Sequence, residues 1–295
     1  MPVIDAGIDR RRGVPLVVAG GACLSLGGLF IRAMAVADGW QILAYRSLAF
    51  CALLLIVIAV RHRGRVGRAF ARTGGAGLLI ALFLGVGSAC YVLALVLTTV
   101  ANALFILGAG PFVAAFLAWA VLGERVPWRT WAAIVAAALG VAVMVAQGLE
   151  AGRLAGSAAA LGATVTFGAM VVTLRHARGV DMLPATCLGG AVAGVIGAVM
   201  ADTLVLPPGD VALALTMGVV QFGGGFLFIT MGARHLPAAE VSLLALVEPV
   251  LAPIWVWAFV DEVPSLATLI GGAVVLGAVA AQAAVGLARA PVGRT

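Results

Sequence analysis

The chain has 295 residues, 63% of them hydrophobic and 10% charged, with a formal charge of +6. A soluble domain carries about a quarter charged residues, so a chain this apolar could not keep its surface wet and the bilayer is its expected solvent. The basic excess is all arginine; with no lysine, a Walker A loop cannot be built, which excludes a P-loop ATPase.

The opening segment IDRRRGVPLVVAGGACLSLGGLF imitates a secretory signal, even a twin-arginine one. Nothing downstream reads as soluble cargo, so this apolar run is expected as a retained span. A membrane helix needs about 20 apolar residues. The runs that qualify are 14–37, 40–60, 74–97, 99–122, 128–148, 154–175, 183–204, 210–233, 237–260 and 265–288. The uncharged stretch from Thr73 to Gly123 holds two helices, with the break expected at Leu97-Thr98-Thr99. All connectors are short.

Arginine placement sets an orientation. With 1–13 and 289–295 in the cytoplasm, Arg10, Arg11, Arg12 and the cluster Arg61, Arg63, Arg65, Arg68 and Arg72 lie inside. Arg125, Arg129, Arg175, Arg178, Arg234, Arg289 and Arg294 join them, and only Arg153 falls outside. This is a positive-inside bias, so the basic segments read as topology signals and not as a nucleic-acid surface. Cys23, Cys51, Cys90 and Cys187 lie in apolar runs and read as small hydrophobes. No metal-ligand spacing, GxSxG or HExxH appears, so no metal, cofactor or catalysis is expected.

The halves 14–148 and 154–288 resemble each other. VANALFILGAGPFVAAFLAWAVLGERVP at 100–127 aligns with AAEVSLLALVEPVLAPIWVWAFVDEVP at 238–264, matching Pro111 to Pro249, Trp119 to Trp257 and Glu124 to Glu262. Each half has five spans, an odd number, so the two copies enter the membrane in opposite senses. The predicted fold is an all-α membrane protein of ten transmembrane helices in two inverted five-helix repeats. Such a repeat supports alternating access around a site near the midplane.

At these residues the chain resembles the EamA-type members of the drug/metabolite transporter superfamily. The resemblance rests on Pro111 with GER at 123–125, EP at 248–249 with DE at 261–262, and Arg46 in the second span. It implies ten helices and export of small metabolites across the bacterial inner (plasma) membrane, and is nearest to the amino-acid exporters, the aromatic ones first. Arg46 departs from the symmetry, since ATCLGG at 185–190 offers no basic counterpart.

Glu248 is the chief candidate for the site. It falls mid-span, where a charge costs roughly 3 kcal/mol or more. Pro249 lacks the N–H that would serve the carbonyl of Ala245, so the helix should kink, with Pro253 repeating the effect one turn on and Pro111 kinking the fourth span. Glu248 is then a proton-coupling group, an anchor for a substrate ammonium, or a structural acceptor holding the kink. Ser88 and Tyr91 share a face of the third span, and Asn102 opens the fourth. Phe167 lies in the sixth, Gln221 and Phe222 in the eighth, and Trp255 on the Glu248 face of the ninth. Gly223, Gly224 and Gly225 either permit close helix contact or loosen the helix. Arg32 and Arg46 either snorkel to the interface or, for Arg46, attract a substrate carboxylate. Glu262 reads as a boundary or capping group.

Rings, amides and one acid suit an amino acid with an apolar or aromatic side chain. The alternatives are a multidrug exporter of lipophilic cations such as methyl viologen, or a membrane enzyme. The lone carboxylate permits proton coupling without requiring it.

Overall fold

The structure, a computed structural model, describes residues 9–150, 153–176 and 181–289. Arg178 and Arg294 lie outside the described residues, as do 1–8 and 290–295 of the two expected cytoplasmic ends. Ten helices are long and apolar enough to cross a membrane: Arg10–Ala33, Gly39–Arg61, Gly74–Leu97, Val100–Leu122, Trp128–Ala146, Leu154–Leu174, Met182–Met200, Pro208–His235, Glu240–Val260 and Leu266–Val285. They are called the first to tenth spans. No strand occurs among the described residues.

Local chemistry sets the boundaries. The first span starts four residues earlier than hydropathy suggests, because Asp9 caps it by accepting from the Arg12 amide and the arginines wind into the first turn. Asp38 caps the second span through a capping box with Gln41. The third span stops at Leu97, and Thr99 caps the fourth, where the break was expected. A short helix, Val66–Ala71, follows the second span and was not foreseen.

The packing keeps one pattern when each span is exchanged for the one five places on. The first span packs on the eighth and ninth as the sixth packs on the third and fourth. The second lies against the seventh, and the fifth against the tenth. The first two spans of each half thus pack with spans of the other half. One bundle comprises spans one, two, eight and nine; its mate comprises six, seven, three and four. An even number of crossings brings both described ends to the arginine-rich face, and the other is called the far face.

Four spans are irregular. The fourth divides into Val100–Leu107 and Gly110–Leu122, and the ninth into Ala238–Leu244 and Val247–Val260. Pro111 and Pro249 occupy first turns of the second half-helices, where a missing N–H costs little. The helix runs on through Pro253, so the second kink expected there is not a break. The first span breaks at Leu26, and the eighth contains a π-helix, Met217–Gly224. This π segment shifts Gln221 and Phe222 off the faces that a regular α-helix would give them. The glycine that follows it permits close contact: a Cβ at Gly225 would stand 2.5 Å from Leu24 Cγ.

Candidate functional site

Arg46 lies two turns into the second span, at the seam between the bundles. It does not snorkel; it is 1% exposed. Gly218 of the π-helix presses its missing side chain against the Arg46 carbonyl, holding the two spans in close contact. The Arg46 Nη2 donates to Ser88 Oγ. Its guanidinium carbon sits 4.6 Å from the Phe222 ring centroid and 5.6 Å from that of Tyr91. Nε and Nη1 have no hydrogen-bond partner among the described residues, and no carboxylate pairs with the group there. A positive charge is therefore held in hydrocarbon by rings and one hydroxyl.

Gln221 is fully buried one residue before Phe222. Its Nε2 donates to the Leu24 carbonyl at 3.1 Å and to Tyr91 Oη at 3.4 Å. That carbonyl lies at the break at Leu26, and Gly27 leaves the room, since a Cβ there would meet Tyr91 Oη at 2.7 Å. Tyr91 lies within electrostatic reach of Arg46 and of Glu248.

Glu248 occupies the first turn of the half-helix Val247–Val260, where the helix dipole favours a negative charge. Its backbone N–H donates to the Ala245 carbonyl at 3.3 Å, the one that Pro249 cannot serve. The kink is thus held by backbone, and the carboxylate accepts no hydrogen bond among the described residues. In the first repeat the aligned position is Gly110, whose missing side chain faces the Phe167 ring, 3.2 Å from a built Cβ.

The structure therefore brings Arg46, Ser88, Tyr91, Gln221 and Phe222 together, with Glu248 nearby. Trp255 Nε1 donates to Ser25 Oγ at 3.0 Å, joining the ninth span to the first. Phe167 is not part of the Arg46 cluster; it packs at the break of the fourth span. Asn102 is bonded elsewhere: its Nδ2 donates to Thr98 Oγ1 at 3.1 Å and Ser157 Oγ at 3.0 Å, while its Oδ1 has no partner among the described residues.

Sequence reading missed two ties on the far face. Asp210, at the head of the eighth span, accepts from the amides of Ala35, Val36 and Ala37 at 2.9–3.1 Å. Arg32 does not snorkel either. It pairs with Glu262 at 2.7 Å and donates at 2.8 Å to the carbonyls of Leu95 and Thr98, while Glu262 Oε1 accepts from the Val100 amide at 2.6 Å. Glu262 is thus more than a capping group. It projects from a left-handed Asp261 that ends the ninth span, as the left-handed Gly123 ends the fourth before Glu124.

Two segments, residues 11–146 and 154–281, each match the EamA-like transporter family, one per repeat. The chain belongs to the EamA-like transporter family. As a member it is a multi-pass membrane transporter of small molecules, working in lipid. A solved structure described only as "Crystal structure of protein" shares the fold, with a TM-score of 0.65 at 19% identity over 95% of this chain and 99% of that one. No curated protein matches the chain. Within this EamA-like transporter, the buried cluster lies where the two bundles meet.

Proposed function

We propose that the protein exports amino acids, aromatic ones first, from the bacterial cytoplasm across the inner membrane, with both termini cytoplasmic. The observation that carries this reading is Arg46: a buried cation that, among the described residues, has unused donors and no counter-ion, stacked on Phe222 and near Tyr91. A cargo carboxylate supplies the missing charge, the rings suit an aromatic side chain, and the unbonded Glu248 takes the ammonium. The same fixed cation repels a lipophilic cation, which sets that reading second. The cargo is moved unchanged, and Pro111, Pro249 and Pro253 mark the segments that flex between access states. Glu248 also gives a place for a proton when no ammonium is bound.

Counterflow in proteoliposomes tests this with labelled tryptophan and labelled methyl viologen. The expected result is saturable tryptophan uptake, stimulated by unlabelled tryptophan inside. Uptake of methyl viologen alone replaces the reading with its rival, and uptake of neither overturns both.

A further inference from the structure

Arg46 is not the only buried residue at the seam with a polar atom that has no hydrogen-bond partner among the described residues. Thr186, in the seventh span, is 2% exposed, and its Oγ1 has no hydrogen-bond partner among the described residues. A buried threonine in a helix ordinarily bonds a carbonyl of the preceding turn. Here the hydroxyl lines a small cavity with Ser47, Phe50, Ser88, Gly190 and Phe222. Two of those residues, Ser88 and Phe222, are the ones that touch the Arg46 guanidinium. The cavity wall depends on glycine: a Cβ on Gly190 would stand 2.8 Å from Cys51 Sγ and 3.0 Å from the Phe50 ring.

The hydroxyls and apolar walls of this cavity thus stand next to one uncompensated positive charge, with Ser88 and Phe222 between the cavity and the guanidinium. A single anionic group that accepts several hydrogen bonds satisfies this set, whereas a water neutralises no charge. Arg46 comes from one bundle and Thr186 and Ser88 from the other, so an anion held by all three joins the bundles. We infer that Thr186 forms, with Arg46 and Ser88, the pocket for the cargo carboxylate, and that Thr186 sets specificity for carboxylate-bearing cargo. This rests on the proposed amino-acid transport and adds a residue from the seventh span.

Thr186→Val removes the hydroxyl at nearly constant shape, and Thr186→Ser keeps it. In counterflow, Thr186→Val should weaken tryptophan about tenfold and leave inhibition by indole-3-ethanol, a neutral indole that lacks the carboxylate, unchanged. Thr186→Ser should behave as wild type. Equal losses for both compounds, or none for tryptophan, overturn the inference. A second measurement does not depend on transport: indole-3-propionate should raise the melting temperature of the purified wild-type protein and not that of Thr186→Val. If the carboxylate stabilises both proteins equally, or neither, the pocket is wrong. If wild type moves no tryptophan yet shows the Thr186-dependent stabilisation, the carboxylate pocket stands and only the amino-acid reading fails.

Discussion

Arg32 and Glu262, 230 residues apart in the chain, meet at 2.7 Å on the far face. Both belong to the bundle of spans one, two, eight and nine, and both also grip the hairpin between spans three and four, which belongs to the other bundle. The pair therefore closes the seam on that face. Glu262→Gln keeps the shape and removes the charge, a loss of about 2 kcal/mol for charge-assisted bonds. The seam should then open roughly thirtyfold more often, at about 1.4 kcal/mol per factor of ten. Maleimide labelling of a cysteine placed at the buried Thr98, with the native cysteines removed, should accelerate by that factor. Exchanging the two charges should not restore closure, because a glutamate at position 32 cannot donate to the carbonyls of Leu95 and Thr98.

Arg46 stores instability at the seam. Replacing an unpaired buried charge with an apolar residue of similar length is neutral or stabilising by about 1–4 kcal/mol. Arg46→Met should raise the melting temperature of the purified protein by a few degrees and lower tryptophan counterflow at least tenfold. A melting temperature below wild type would mean that the ring and Ser88 contacts outweigh the desolvation of the charge.

Glu248→Gln should fold as wild type does, since the carboxylate holds no hydrogen bond in the described structure. Counterflow of tryptophan should fall at least tenfold, and whatever dependence on pH the wild type shows between neutral and acidic conditions should flatten. Full activity with an unchanged pH profile would remove Glu248 from the mechanism.

The π segment is sensitive to added bulk. A methyl group at Gly223 would collide with Leu53, and one at Gly218 with the Arg46 carbonyl. Each substitution to alanine should destabilise by about 1–3 kcal/mol, read as lower yield and melting temperature in detergent. Gly67→Ala, in the short helix after the second span, meets nothing within 4 Å and should be neutral or slightly stabilising.

Hydropathy, arginine placement and the doubled EP/GP pattern made the ten spans and their repeat legible, because lipid demands long apolar helices whatever their partners. Ser88 and Tyr91 were legible as neighbours because the third span is a regular helix. The Met217–Gly224 segment was not, since one extra residue per turn leaves no mark in composition beyond its glycines. Arg32 and Arg46 misled for a related reason: depth in the membrane suggests snorkelling, but only tertiary packing decides whether a side chain near an interface turns outward or inward. The role of Asp210 was not legible because its partners are backbone amides 173 to 175 residues away, which no sequence pattern records.

The exchange of the first two spans of each half bears on how the molecule is made. The first span leaves the ribosome long before the eighth and ninth exist, so it must wait in the membrane with its mating surface, the glycines Gly20 and Gly21, turned toward lipid or a chaperone. Neither half of the gene encodes a self-sufficient product. Maturation is therefore a late event that follows synthesis of the ninth span, and a chain truncated before it should be cleared by membrane proteases.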